Sequence, residues 1–166
     1  NPSSHSYFNL NPSKNSILNH KLKISSSKYI PINNEFLPTG EIDKISNTPF
    51  DFSFPRKIGE QINSDNKQLE IAKGYDHCFI LKKESEIAAE ISDKKSGRKL
   101  IILTDQPGIQ LYTGNHLSGN FNQNQGLCLE TQHYPNSPNN INFPSTLLKA
   151  KRGFYSETTY IFKNKK

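Results

Sequence analysis

The chain has no Met and no Trp, only two Cys in 166 residues, and only three Arg (Arg56, Arg98, Arg152) among its 21 basic residues. Each scarcity closes a class of explanation. No apolar run approaches the ~18 residues that a membrane-spanning helix needs, so none is expected. Cys78 and Cys128 stand alone among apolar residues, which predicts buried thiols in a reducing compartment and no disulfide. None of the 19 Asn lies in an Asn-x-Ser/Thr acceptor with x other than Pro. Together these features predict a soluble, cytoplasmic protein. The net charge of +6 comes mostly from Lys, some of it gathered at Lys94-Lys95, Lys149-Lys151 and Lys163-Lys166. Nucleic-acid readout leans on Arg, so these clusters read as solvated surface and no nucleic-acid partner is expected. The absence of Met, with the opening Asn1-Pro2-Ser3-Ser4-His5, predicts a processed product or a piece of something longer.

Catalytic motifs of the common kinds are missing too. There is no Gly-x-Gly-x-x-Gly, no phosphate loop and no Gly-x-Ser-x-Gly elbow. His5, His20, His77, His116 and His133 form no metal-binding spacing with one another or with Cys. Neither a cofactor nor a metal is expected.

What is present is period-two alternation in short segments: Lys21 to Ile24, Cys78 to Lys82, Ile87 to Ile91, Leu100 to Thr104, Ile109 to Tyr112, Leu127 to Thr131, and Phe154 to Phe162. These predict strands. Turn signals separate them, among them Pro38-Thr-Gly40, Ser96-Gly97, Pro107-Gly108, Thr113-Gly-Asn115 and Pro135-Asn-Ser-Pro138. Helix is confined to a turn or two at Ile58 to Ile62 and Lys67 to Ala72. The fold class is therefore all-β, an antiparallel β-sandwich or barrel, and 166 residues suit one domain spanning 1–166.

The most informative stretch is Gly126-Leu-Cys-Leu-Glu-Thr-Gln-His-Tyr-Pro135, which sets the carboxylate of Glu130 into an apolar run. Strand interiors disfavour Glu, and an unpaired buried charge is costly, so such a residue has a partner, a task, or an outward-facing place on a half-buried strand. Other polar residues sit beside aromatics or glycines: His5-Ser6-Tyr7-Phe8-Asn9, Gly74-Tyr75-Asp76-His77, and Gln110 before Tyr112. Aromatic faces with a few directed hydrogen-bonding groups are what a sugar site needs. Taken singly, each has an ordinary structural explanation: His5 as a terminal histidine, Asp76 as a turn residue, Gln110 as a loop amide.

Taken together they resemble a known family. His5-Ser-Tyr-Phe-Asn-Leu10, Leu37-Pro-Thr-Gly-Glu-Ile42, Thr48-Pro-Phe-Asp-Phe52, Gly74-Tyr-Asp-His77, Gln106-Pro-Gly-Ile-Gln-Leu-Tyr-Thr-Gly-Asn115 and Gly126-Leu-Cys-Leu-Glu-Thr-Gln132 are similar to the successive blocks of the aldose 1-epimerases, the galactose mutarotases. The blocks run in the family's order over nearly the whole chain. The resemblance implies a galactose-mutarotase-type sandwich with a sugar bound in an open cleft, acting on a free aldose such as galactose or glucose without a cofactor. It implies His5 as general acid and Glu130 as general base, Asp76 and Gln110 as residues that bind sugar hydroxyls, and Ser6 and Tyr7 as neighbours of the acid in the contacting stretch.

The sequence departs from the family pattern in having Ser4 where Asn usually precedes the motif histidine. Full-length members are longer, with a further sugar-binding histidine and an arginine that would stand upstream of Asn1. The resemblance thus implies a carboxy-terminal portion, truncated at the amino terminus, with low or no activity by itself and with uncovered sheet edges and apolar faces. His20, in Leu18-Asn-His-Lys-Leu22, is read as a local structural residue. The alternative to an enzyme is a sugar-binding protein, or an inactive fragment, that keeps the cleft without turnover. Oligomeric state is open.

Overall fold

The computed structural model describes residues 2–13 and 15–164. Eleven strands run along the chain: β1 (Tyr7–Phe8), β2 (Lys21–Ile24), β3 (Ser26–Ile30), β4 (Asp43–Lys44), β5 (Arg56–Lys57), β6 (Asp76–Leu81), β7 (Ala89–Ser92), β8 (Arg98–Thr104), β9 (Gly108–Tyr112), β10 (Leu127–Gln132) and β11 (Thr158–Asn164). A single short α-helix among the described residues, α1 (Lys67–Ala72), begins at Asn66, whose side chain accepts from Gln68 N–H. Ile58–Glu60 forms one 3-10 turn.

The strands make two antiparallel sheets. One has six strands in the order β1-β10-β9-β6-β3-β4, the other five in the order β11-β8-β7-β2-β5. Alternation of side chains along each strand decides what faces the space between them. From the six-stranded sheet that space receives Tyr29, Phe79, Ile109, Leu111, Leu127 and Leu129; from the other it receives Leu22, Ile24, Ala89, Ile91, Leu100 and Ile102. All are buried in one apolar cluster. Fully burying a side chain of this size stabilises the fold by about 1.5–3 kcal/mol, so this layer holds the sheets together. Thr131 of β10 and Thr158 of β11 add a hydroxyl–hydroxyl bond of 2.7 Å between the sheets.

Several expected strands match closely. β2 has the expected bounds, β9 and β10 begin or end within a residue of them, and β6 starts two residues early, at Asp76. Others shift: β7 starts at Ala89, and β11 begins only at Thr158, leaving Phe154 to Glu157 outside it. β3 was not anticipated; its register slips between Ser26 and Lys28, which breaks the period of two. His20 is buried, with Nε2 accepting from Leu10 N–H at 2.9 Å. It therefore fastens the segment after β1 to the start of β2. Large apolar side chains remain in solvent toward the end of the chain, including Ile141, Leu147, Tyr155 and Phe162. No helix among the described residues is long and apolar enough to cross a membrane.

Candidate active site

The outer face of the six-stranded sheet carries the polar residues that the inner face cannot accept. Residues directly opposite in an antiparallel pair share a face. The register places Glu130 opposite Gln110, and Gln110 opposite Cys78. In the adjacent row Tyr7 stands opposite Cys128, Cys128 opposite Tyr112, and Tyr112 opposite Asp76. Glu130, Gln110, Asp76 and Tyr7, from four strands and distant parts of the sequence, thus come onto one surface.

His5 precedes β1 by two residues and so shares the face of Tyr7. Its Nε2 lies 3.6 Å from Glu130 Oε1. Its Nδ1 lies 3.3 Å from Cys128 Sγ. Its ring packs against Tyr7 and Tyr112 at centroid distances of 5.2 and 6.3 Å. The two chemical partners differ in exposure: the His5 side chain is 56% accessible and that of Glu130 14%. Ser6 is exposed and its hydroxyl meets that of Ser4 at 3.0 Å, so its observed partner lies in its own segment.

Burial raises the pKa of Glu130 above the ordinary carboxylate value; nearby His5 opposes this and the Asp76 carboxylate adds to it. Asp76 is raised as well, first by burial, against the bond from Gln110 and the nearby His116 and His5. Gln110 Nε2 donates to Asp76 Oδ1 at 2.7 Å. Gln110 Oε1 is buried with no hydrogen-bond partner, an acceptor that a hydroxyl-bearing ligand would satisfy. Glu130, Gln110 and Asp76 line a cleft of about 250 Å³, walled on one side by Phe36 and Pro38. That is the scale of a small single-ring ligand.

Beneath the cleft, His77 points inward. Its Nδ1 accepts from Asp76 N–H at 3.1 Å and its Nε2 meets Gln68 Oε1 at 3.0 Å. Burial pulls its pKa down to about 3. Both nitrogens are satisfied by the neutral ring, which anchors the backbone that presents Asp76.

From the sequence, Cys128, Tyr112 and Phe36 had no role in this site, Tyr112 being noted only as the aromatic after Gln110. The first two were within reach, because Cys128 lies two residues before Glu130 and Tyr112 two after Gln110, and a period of two puts each on its neighbour's face. Phe36 comes from a connection with no strand pattern. His5, Cys128 and Glu130 also bring a nitrogen, a sulfur and an oxygen within 4.8 Å of one another. The shortest approaches to sulfur and carboxylate use opposite nitrogens of the imidazole.

Comparison with known proteins agrees with this architecture. The chain is 36% identical to the galactose mutarotase of Sus scrofa over 173 residues, which cover 98% of this chain and 49% of that protein. It superposes on the galactose 1-epimerase of Lactobacillus acidophilus with a TM-score of 0.79 at 28% identity, covering 98% of this chain and 48% of the other. With an aldose epimerase homologue from C. elegans the TM-score is 0.87 at 24% identity, covering 98% and 50%, a likeness of fold. The chain spans about half the length of the relatives it matches. Residues 1–160 match the family model described as aldose 1-epimerase, and the chain belongs to that family.

Proposed function

We propose that the protein carrying this sequence is a mutarotase that interconverts the α and β anomers of a free hexose such as galactose or glucose, with residues 1–166 forming one sandwich unit. The observation that carries the reading is the approach of His5 Nε2 to Glu130 Oε1, 3.6 Å apart at the edge of a sugar-sized cleft. The ring oxygen and the hydroxyl oxygen of a cyclic hemiacetal share one carbon. A donor and an acceptor this close can serve both at once.

Opening the ring requires a proton to reach the ring oxygen while another leaves the C1 hydroxyl. Glu130 takes the hydroxyl proton, the C1–ring-oxygen bond breaks, and His5 delivers a proton to the departing oxygen. The product is the open-chain aldehyde. Rotation about C1–C2 presents the other carbonyl face, and reversed transfers close the opposite anomer. Each group must both give and accept, which works best for pKa values near the operating pH. An imidazole can do both, since its ring nitrogens give and accept protons. The burial that raises the pKa of Glu130 moves its carboxylate toward the operating pH. Asp76 and the open acceptor Gln110 Oε1 suit hydroxyls on the rest of the ring.

The test is polarimetry of fresh α-galactose. The protein is expected to speed the optical change, and His5→Gln to slow that effect by about 10²–10⁴-fold. Galactose binding with no effect on the rate would assign the cleft to recognition instead.

A further inference from the structure

Phe36 is the only aromatic among the described non-glycine residues with positive φ, at 62°. An aromatic side chain in the left-handed region is an outlier that the surrounding structure must impose. The means are visible. Asn33 Oδ1 accepts from Glu35 N–H at 2.9 Å and from Leu37 N–H at 3.0 Å. The backbone closes the turn through Phe36 N–H to Asn33 O and Asn33 N–H to Leu37 O. At its base Ile32 is bonded through both N–H and C=O to the Gln68 side chain, the same amide that meets His77. A rigid turn is thus tied to the residue beside Asp76.

Burial does not repay the strain, because Phe36 remains 50% accessible. Phe36 lines the cleft with Asp76, Gln110 and Glu130, and its ring meets that of His116 edge-on at 6.1 Å. We propose that Phe36 is a specificity-determining binding residue whose ring is the apolar wall on which the C–H face of the bound sugar packs. This rests on the sugar reading given above. Aromatic faces select pyranoses by how many C–H bonds point one way. An axial 4-hydroxyl leaves the hydrogens of C3, C4 and C5 on one side, as in galactose; an equatorial one, as in glucose, divides them. The wall therefore favours galactose-configured sugars.

Phe36→Gly tests this, since glycine accepts positive φ without strain and removes only the ring. Calorimetric titration of the wild-type protein and the variant with galactose and with glucose should show galactose affinity falling by about tenfold and glucose affinity falling less. The variant should unfold in urea no more easily than the wild type. Unchanged galactose affinity, an equal loss for both sugars, or a marked loss of stability would each overturn the proposal while leaving the mutarotase reading intact. A wild-type protein that binds neither sugar would sink the sugar reading itself, and this inference with it.

Discussion

The two faces of the six-stranded sheet use the same strands for opposite ends. On β6, β9 and β10 the inward residues Phe79, Ile109, Leu111, Leu127 and Leu129 are buried in one apolar cluster with the second sheet, and His77 is buried beside Tyr29 and Phe50. The outward ones include Asp76, Gln110, Tyr112, Cys128 and Glu130. The inner face is mostly apolar, and its polar groups are satisfied: its histidine is neutral with both nitrogens bonded, and Thr131 is bonded to Thr158. The outer face holds two half-buried carboxylates with raised pKa values and a buried amide oxygen without a partner. Stability is concentrated on one side of a sheet and unsatisfied polar chemistry on the other, one residue apart.

Substitutions on the two faces therefore differ in sign as well as size. The largest effect on stability belongs to the inner face. Phe79→Ala, at a fully buried position, should cost about 3–5 kcal/mol in urea unfolding.

Next comes His77. A histidine whose folded pKa is depressed contributes stability that is present above its ordinary value and lost as pH falls toward the folded one. For His77 the window runs from 6.5 down to about 3. Between pH 7 and pH 4 the His77 contribution should fall by on the order of 3 kcal/mol. His20, depressed by burial, adds to the same slope. Urea midpoints across that range should drop in the wild type and flatten in His77→Gln.

Smallest, and opposite in sign, is the outer face. A carboxyl with a raised folded pKa contributes stability that is fully present below its ordinary pKa and lost as pH rises through the folded value. Asp76→Asn keeps an acceptor for Gln110 but removes the charge. It should raise the urea midpoint slightly at neutral pH while weakening sugar binding. A loss of stability instead would show that Asp76 belongs structurally with its inner neighbours.

Where the period of two was unbroken, the sequence was readable, and β2, β9 and β10 lie close to their expected bounds. β1, β4 and β5 are two residues each, too short to display a period, and β3 carries a register slip. The site was legible in another way. Glu130 stood out by its place in an apolar run, and a resemblance of ordered blocks gave roles to His5, Asp76, Gln110 and Glu130, whereas singly Asp76 looked like a turn residue and Gln110 like a loop amide. Both lie in strands, Asp76 starting β6 and Gln110 at the centre of β9. Cross-strand register made them neighbours, and no local pattern encodes it. Phe36 was invisible because what places it is a turn held by the Asn33 side chain and anchored to Gln68.

The central claim is that Glu130 and His5 move protons on either side of one sugar carbon. Exchange NMR between the α and β anomers of galactose, with wild-type protein and with Glu130→Gln, tests it most directly. The account predicts catalysed exchange that Glu130→Gln slows by about 10²–10⁴-fold, with galactose still bound. Exchange at the wild-type rate in that variant would contradict it.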